Sequence, residues 1–449
     1  MHTWISTWYY ANRARRGRVA TDREISDREA MSHSDPAIRR HQLERLSHLL
    51  EHAGKHIPYY RDLFREHGFD HRTLSSGDML KQLPVLDKMA IRSAGHRLLS
   101  EAVPAKGRYR NASGGSTGAP LQFYQDSTYD KAAQIAAPLF DMWTGWQRGE
   151  PVALLWGAPT DLARYGLYRQ RLRLVLQNRF LVDAFDLDDR RLQRAVDNIR
   201  RRRPALVVAY AAAAYLVARY MKEHGIRLEH PPRAVITSAE VLLPHYRPLI
   251  ESQFGCRVFN RYGSREVGVV AMECASGSMH INALDLLVEV HNPGPDGVGE
   301  LLITQLNNLV FPFIRYRIGD LAAIQERSCA CGRHLPCLTD LRGRASDFIT
   351  APDGTLIHGE WFTHLFYEVR GVTLFTFRQV GPTQYAFDVQ RDAAFDPATF
   401  HKAMGKAQLR LGSDARIEIN FVDRFEASPS GKHRFVMNEY SESVLRSSQ

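Results

Sequence analysis

A loop in the first third of the chain has the composition of a phosphate-binding loop. It runs Ser113-Gly114-Gly115-Ser116-Thr117-Gly118-Ala119-Pro120 and combines two serines, one threonine and three glycines. Backbone N–H groups and hydroxyls in such a loop can converge on phosphate oxygens, because no bulky side chain obstructs them. The loop lacks the Gly-Lys-Ser/Thr ending of a P-loop, and a loop of this composition alone is more often a plain flexible turn.

A second group of residues has the chemistry of a metal site. Cys274 precedes His280 by six residues, and Cys329 and Cys331 form Cys-Ala-Cys-Gly ahead of Cys337. Thiolates and an imidazole suit the tetrahedral coordination of Zn²⁺, with buried free thiols as the alternative. The five cysteines are too few, and odd in number, for the disulfide framework of a small secreted domain. They favour a reducing compartment.

The elements that must position these residues alternate between strands and helices. Apolar runs at Pro151–Trp156, Ala205–Ala209 and Ala234–Thr237 predict buried strands, and Ala211–His224 predicts a helix after the second of them. Arg257–Asn260 predicts another strand, which ends in a turn through Tyr262 and Gly263. This alternation is typical of an α/β architecture.

Other segments predict an amphipathic opening helix, a β-rich subdomain and a smaller C-terminal unit. The opening helix runs from Gln42 towards Pro58, where the helical spacing of apolar residues ends. The remaining predicted segments are strands at Leu286–Val290, Gly299–Thr304, Phe313–Ile324, Thr373–Val380, Gln384–Val389 and Arg416–Phe421, and a helix at Pro397–Leu411. We therefore expect an N-terminal domain over residues 1–342 and a C-terminal α+β domain over 343–449.

Composition narrows the class of protein. With 449 residues, 44% of them hydrophobic, the chain is long and apolar enough for two or three domains, which excludes disorder and a fibrous role. The net charge of +10 could attract nucleic acid, a nucleotide cofactor or an anionic membrane surface. We find no secretory signal in Met1–Asp27 and no run of about 20 apolar residues, so we expect a cytoplasmic protein without a membrane span.

The order of the polar segments resembles that of a known family. After the Gly/Ser loop come Thr237-Ser238-Ala239-Glu240, Asn260-Arg261-Tyr262-Gly263-Ser264-Arg265-Glu266-Val267-Gly268, Arg315-Tyr316-Arg317-Ile318-Gly319-Asp320, Arg342-Gly343-Arg344-Ala345-Ser346-Asp347 and Ser430-Gly431-Lys432. This ordered set resembles the adenylate-forming superfamily, and most closely its phenylacetate-CoA ligase-like branch, including the capsule-biosynthesis-associated members. The resemblance covers nearly the whole chain and implies a large α/β N-terminal domain followed by a small mobile C-terminal domain.

The resemblance implies a role for each matching residue. The loop Ser113, Gly114, Gly115, Ser116, Thr117 and Gly118 would hold the β- and γ-phosphates of ATP, and Ser238, Ala239 and Glu240 would also line the nucleotide site. Tyr262, with Gly263, would pack on adenine. Glu266 would hold Mg²⁺, a cation that prefers carboxylate oxygens. Asp320 would accept hydrogen bonds from the ribose hydroxyls. Arg344 would approach the ribose or phosphates, and Lys432 would stabilise charge during the attack on the α-phosphorus.

The same resemblance selects the metal ligands. Cys, then His, then Cys-x-Cys-Gly-Arg matches a zinc site of some members of this branch. It implies Cys274, His280, Cys329 and Cys331 as ligands, with Cys337 in reserve. Four protein ligands would close the coordination sphere, so we expect a structural zinc ion without a catalytic role.

Some positions depart from the family pattern. Gly118-Ala119-Pro120 replaces the usual Gly-Lys-Pro, Arg265 replaces a Thr or Ser, and the usual Gly-containing segment after the hinge becomes Phe348–Phe362. That last segment lines the thiol tunnel in the family. The resemblance therefore supports adenylation more strongly than it supports coenzyme A as the acceptor.

The predicted activity is ATP-dependent activation of an aryl or acyl carboxylic acid, followed by transfer to coenzyme A. Three alternatives stay open. A synthetase could pass the acyl group to an amine, a hydroxyl or a carrier-protein thiol. A nucleic-acid-binding zinc protein would explain the positive charge and would bind DNA or RNA with steep salt dependence. A catalytically silent relative would bind nucleotide and release no pyrophosphate. We expect no nucleic acid partner, and a homodimer is open.

Overall fold

A computed structural model describes most of the chain. The described ranges are 3–15, 19–113, 121–156, 168–183, 189–326, 328–344, 348–353, 356–358, 361–362, 365–366, 369–425 and 435–440. The chain divides into two compact units. The first comprises residues 1–318 and 322–340, and the second comprises 319–321 and 341–449. The domain boundary after Arg342 stays a prediction.

Helices occur in both units. They are α1 (Thr3–Arg15), α2 (Asp22–Ser32), α3 (Asp35–His56), α4 (Pro58–Glu66), α5 (Lys88–Ala94), α6 (Ser127–Met142), α7 (Tyr168–Leu176), α8 (Asp189–Arg202), α9 (Ala211–Glu223), α10 (Tyr246–Phe254) and α11 (Pro397–Leu411). The predicted opening helix corresponds to α3, and two helices that were not predicted precede it. Ile57 is extended because it precedes Pro58, which starts α4 and so separates it from α3.

The strands of the first unit run from β1 to β13. They are β1 (Arg108–Ala112), β2 (Gln122–Asp126), β3 (Val152–Trp156), β4 (Arg179–Asp183), β5 (Leu206–Tyr210), β6 (Ala234–Ser238), β7 (Arg257–Ser264), β8 (Gly268–Glu273), β9 (Met279–Ile281), β10 (Leu286–His291), β11 (Gly299–Gln305), β12 (Tyr316–Gln325) and β13 (Cys337–Arg344). Strands β12 and β13 also contribute residues to the second unit. The described part of the main sheet has the order β10-β11-β12-β13-β9-β8-β7-β6-β5-β3-β4.

One part of this sheet is parallel. Strands β4, β3, β5, β6 and β7 are joined by parallel pairings, and β7, β8 and β9 continue antiparallel. Every residue of β5 and of β6 is buried, as expected for parallel strands that are covered on both faces. The carboxyl ends of the parallel strands therefore meet along one edge, which is where ligands bind in sheets of this kind.

Strand β7 is longer than the sequence predicts. Tyr262 and Gly263 lie within it and pair with β8, whereas we expected a turn there. The register shifts between these two residues, and a Cβ on Gly263 would collide with the carbonyl oxygen of Gly268. Only glycine allows β8 to approach this closely, so the pairing continues through residues that read as a turn.

The second unit has its own sheet and core. Strands β16 (Val372–Gln379), β17 (Gln384–Arg391), β18 (Arg416–Phe421) and β19 (Val436–Asn438) form a sheet in the order β18-β17-β16-β19, and β14 (Phe348–Thr350) pairs with β15 (Leu356–His358). Helix α11 has the predicted bounds. Its buried residues join a core rich in phenylalanine that includes Phe366, Phe377 and Phe387.

Within the described ranges, none of the helices combines the length and the apolar character that a bilayer crossing requires.

Candidate functional site

Two neighbouring strands bring the central predicted residues together. Ser238 ends β6 and pairs with Arg261 of β7, directly before Tyr262. Ala239 and Glu240 follow β6, and Ala239 has a φ of 70° that turns the chain at the strand end. The segment after β6 and the segment at Tyr262 are therefore adjacent at the carboxyl edge of the parallel sheet.

Glu266 lies in the turn between β7 and β8, and its side chain is buried. Tyr316, at the start of β12, places its hydroxyl 3.4 Å from Oε1 of Glu266. Within the described residues this buried carboxylate contacts one hydroxyl, which leaves further oxygen lone pairs for a divalent cation. The chemistry of Glu266 therefore fits its predicted role as a ligand of Mg²⁺.

Ser113 and Leu121, which flank the predicted phosphate loop, lie at the end of the hairpin β1–β2, and this hairpin contacts the same region. Ser113 closes the base of the loop, because its N–H donates to the carbonyl oxygen of Leu121 and its Oγ accepts from the N–H of Leu121, each at 2.9 Å. Gln125 of β2 donates to the carbonyl oxygen of Arg265 at 3.2 Å. Asn111 of β1 donates to Gln125 at 2.8 Å and so fixes that amide. The hairpin is thus anchored beside Glu266, while residues 114–118 lie outside the described residues.

Glu240 has a structural contact that the sequence does not reveal. The N–H of Ala212, in the first turn of α9, donates to Oε2 of Glu240 at 3.0 Å. A carboxylate at this position compensates the N–H groups of the helix N-terminus. Glu240 therefore joins the end of β6 to α9, and its predicted nucleotide contact stays a prediction.

The remaining predicted nucleotide residues belong to the second unit. Asp320 lies on β12, next to Gly319, which has a φ of 93°. Arg344 is the last residue of β13. Lys432 lies outside the described residues.

The predicted metal ligands lie close together. One ligand atom each from Cys274, His280, Cys329 and Cys331 falls in a group whose members are all within 4.8 Å of one another. Cys274 follows β8, His280 lies at the centre of β9, and the other two lie in the loop between β12 and β13. The Sγ atoms of Cys274 and Cys329 are 3.7 Å apart, and Nε2 of His280 is 3.2 Å from Sγ of Cys331.

The orientation of His280 distinguishes these four residues from Cys337. Nδ1 of His280 lies 3.0 Å from the carbonyl oxygen of Leu335, which fixes the ring and leaves Nε2 directed at the cysteine group. Sγ of Cys337 contacts Nδ1 at 3.4 Å, on the opposite side of the ring, because Cys337 pairs with His280 across β13 and β9. Cys337 therefore supports the histidine instead of joining the four.

Electrostatics also fit a metal centre. Burial opposes ionisation of Cys329, yet hydrogen bonds from Cys331, Ser278 and His280 lower its pKa to about 6. Burial likewise opposes the charge of His280, while hydrogen bonds with Cys274 and Cys337 raise its pKa to about 12, so the surrounding thiols favour a positive charge at this point. A histidine ligand binds metal in its neutral form, so Zn²⁺ would supply that charge in place of the proton. Thiolate sulfur is the form that binds Zn²⁺, so the donor set, its charge and its spacing fit this ion.

A polar cluster that was not predicted attaches the cysteine loop to the helices. Glu29 of α2 accepts from the guanidinium of Arg333 and, at 2.9 Å, from the indole N–H of Trp143. The guanidinium of Arg333 also lies 4.0 Å from the centre of the Trp143 ring. Burial opposes the charge of Glu29, but these hydrogen bonds lower its pKa overall. No local pattern indicates the cluster, because its members are far apart in sequence.

A buried ion cluster, which was not predicted from the sequence, lies at Arg261, next to Tyr262 in β7. Asp141 of α6 contacts Arg261 at 3.2 Å and Arg179 of β4 at 3.7 Å. Burial raises the pKa of Asp141 and lowers that of Arg261, even though each faces an opposite charge. Nearby, Phe140 and Trp146 are part of the core packed on the sheet.

Comparisons with known proteins agree with this architecture. Residues 349–439 match the model of the CapK C-terminal domain. The chain is 22% identical to protein CapK of Staphylococcus aureus over 408 residues, which cover 88% of each chain. It is 27% identical to a phenylacetate-coenzyme A ligase of Pseudomonas putida over 327 residues, covering 70% of this chain and 72% of the relative.

A solved structure shows the same fold across nearly the whole chain. The crystal structure of 2-hydroxyisobutyryl-CoA ligase, in the postadenylation state in complex with 2-HIB-AMP, has a TM-score of 0.68 at 20% identity. The match covers 92% of this chain and 91% of the other. The predicted α/β class is thereby confirmed. The resemblance predicted from the sequence, to the phenylacetate-CoA ligase-like branch of the adenylate-forming superfamily and to CapK, is confirmed as a similarity by these matches.

Proposed function

We propose that this chain is an AMP-forming ligase that activates a carboxylic acid with ATP and transfers the acyl group to coenzyme A. The observation that carries the proposal is the meeting of the Tyr262–Glu266 segment with the phosphate-loop hairpin at the carboxyl edge of the parallel sheet. Relatives named phenylacetate-coenzyme A ligase support the reaction class, since they align over 70% or more of the chain.

In the first step a carboxylate oxygen of the acid attacks the α-phosphorus of ATP. The bond from that phosphorus to the pyrophosphate oxygen breaks, pyrophosphate leaves, and an acyl-adenylate forms. The loop from Ser113 to Gly118 would bind the phosphates, Tyr262 would pack on adenine, and Asp320 would bind the ribose hydroxyls. Stabilisation of charge on the transferring oxygens is the largest contribution such a site makes, and Lys432 and Arg344 would supply it.

In the second step the thiol of coenzyme A attacks the acyl carbon and AMP leaves. The acid itself is a small molecule of the aryl or acyl class. Glu266 is the residue that would hold Mg²⁺, which supplies positive charge near the phosphates when bound. The four ligands Cys274, His280, Cys329 and Cys331 would hold a structural zinc ion away from the reacting atoms.

A second candidate function differs only in the acceptor. The C-terminal residues match the CapK C-terminal domain, and the segment after the hinge departs from the family's usual sequence at Phe348–Phe362. That departure favours an acceptor other than coenzyme A, such as an amine, a hydroxyl or a carrier-protein thiol. Both candidates share the adenylation step.

The test is pyrophosphate release from ATP and Mg²⁺ over a panel of aryl and fatty acids, with and without coenzyme A. Wild type is compared with Lys432→Ala and with the matched control Lys406→Ala, an exposed lysine of α11. We expect acid-dependent release that only Lys432→Ala abolishes. Formation of the thioester would then select coenzyme A as the acceptor, and adenylation without thioester would select the second candidate. A folded protein that neither releases pyrophosphate nor binds ATP would refute both.

A further inference from the structure

Helix α1 presents two tryptophans to solvent. Trp4 is 67% exposed and Trp8 is 62% exposed, whereas the other four tryptophans of the chain are buried or half-buried. Trp4 and Trp8 are four residues apart and continue at helical spacing into Ala11 and Arg15, all exposed. A stripe at positions i, i+4, i+7 and i+11 occupies one side of a helix, so the outer face of α1 carries both indoles and ends in an arginine.

The opposite face fixes the helix to the protein. Tyr9 and Tyr10 are buried and form a cluster with Val19, against which Leu176 of α7 packs. The guanidinium of Arg148 lies 4.8 Å from the centre of the Tyr10 ring and donates to the carbonyl oxygen of Ala20. Because these contacts hold the inner face, the exposed indoles belong to a docked helix instead of a fraying one.

The neighbouring helix extends the apolar surface. Helix α7 contacts α1, and its Leu172 and Val175 are 47% and 46% exposed. Leu172 and Val175 are three residues apart, so they lie on one side of α7. Two adjacent helices therefore expose large apolar side chains at the same region of the molecule.

The segments that form the two helices carry positive charge. Residues 3–21 contain four arginines and no acidic residue, and residues 168–178 contain three arginines and no acidic residue. Arg15 and Arg173 are exposed at the ends of α1 and α7. Tryptophan and aliphatic residues next to arginine, without acidic side chains, are the composition of helices that lie in the plane of an anionic membrane surface.

We infer that α1 docks on the surface of a bilayer that contains anionic lipid, with Trp4 and Trp8 at the level of the headgroups and Arg15 facing their phosphates. Exposed indoles favour this interface because they combine a large apolar ring with an N–H donor. The positive charge selects an anionic lipid over a neutral one. This association is peripheral, and it is independent of the proposed ligase activity.

The experiment is co-sedimentation of the full chain with vesicles made of equal parts phosphatidylglycerol and phosphatidylcholine, and with phosphatidylcholine vesicles. The test variant is Trp4→Ser combined with Trp8→Ser. Its matched control is Leu409→Ser, because Leu409 is 86% exposed on α11 of the second unit. A charge variant, Arg15→Glu, is matched by Arg410→Glu, an exposed arginine at the end of α11.

We expect wild type to bind the mixed vesicles and to lose binding as salt is raised. The double tryptophan variant should bind at least about tenfold more weakly, which corresponds to about 1.4 kcal/mol, and Arg15→Glu should also weaken binding. Both controls should bind like wild type. Circular dichroism and sedimentation velocity check folding and self-association. Equal binding by wild type and the double variant, or no binding at all, overturns the inference. A dimer that the tryptophan substitutions dissociate would also overturn it, because the outer face of α1 would then contact a second copy of the chain.

Discussion

Replacing Asp141 with asparagine should lower the free energy of unfolding of the first unit far more than replacing the acidic residue of an exposed ion pair does. Asp141 is 4% exposed and faces two guanidinium groups, at 3.2 Å from Arg261 and 3.7 Å from Arg179. With an effective dielectric constant of about 20, each attraction has a magnitude of about 4–5 kcal/mol, and burial of the three charges offsets much of it. Removing only the carboxylate leaves Arg261 charged and buried. We therefore expect a loss of about 3–5 kcal/mol in the free energy of unfolding.

Urea unfolding followed by tryptophan fluorescence measures this loss, and Trp143 reports locally because it follows Asp141 by two residues. The matched control is Glu101→Gln, which removes an exposed ion pair with Arg61 and should leave the unfolding midpoint unchanged. A combined Asp141→Leu and Arg261→Met variant should recover most of the loss, because it removes both members of the closest pair. A single Asp141→Asn variant as stable as the control would refute the idea that this cluster is a desolvated ion pair.

Three further predictions concern the metal centre, the β7–β8 contact and a helix cap. Cys274→Ser should lower bound zinc, measured by mass spectrometry of the purified protein, whereas Cys256→Ser, outside the ligand group, should retain it. Gly263→Ala should lower stability by about 1–3 kcal/mol in thermal unfolding, since its Cβ would meet the backbone of β8, while Gly405→Ala, with no atom within 4 Å, should not destabilise. Glu24 has a pKa lowered to about 2, chiefly by the backbone N–H of Thr21, so its stabilising effect is complete above pH 4.5 and is lost as pH falls towards 2. Glu24→Gln should therefore be less stable than wild type at pH 6, with the difference shrinking in unfolding curves as pH falls below 4.5.

The regular elements could be predicted where local pattern and local environment agree. The helix Pro397–Leu411 was predicted at its observed bounds because proline follows the N-cap Asp396 and apolar residues recur at helical spacing up to Leu411. The strands at Leu206–Tyr210 and Ala234–Ser238 were predicted within one residue at each end, since short apolar runs bounded by helices are typical of buried parallel strands.

The pattern failed where a distant contact decides the structure. Tyr262 and Gly263 read as a turn, but pairing with β8 keeps them extended. The four cysteine and histidine residues could be chosen because their residue types restrict the chemistry and because their order resembles a zinc site of the family. The cluster of Glu29, Trp143 and Arg333 could not be predicted. A glutamate on a polar helix face has no sequence feature that indicates a partner so far away. Tertiary contacts of this kind carry no local periodicity.

The contact between Glu29 and Arg333 has a consequence for how the chain is made. The two residues are separated by 304 positions, so α2 leaves the ribosome long before its partner is synthesised. At about 5–20 residues per second the delay is roughly 15–60 seconds. During that time the first helices of the nascent chain lack the loop that holds them, and their apolar sides are available to chaperones. Completion of the cysteine loop, and not of the helices themselves, therefore marks the moment when the amino-terminal part of the protein can reach its final packing.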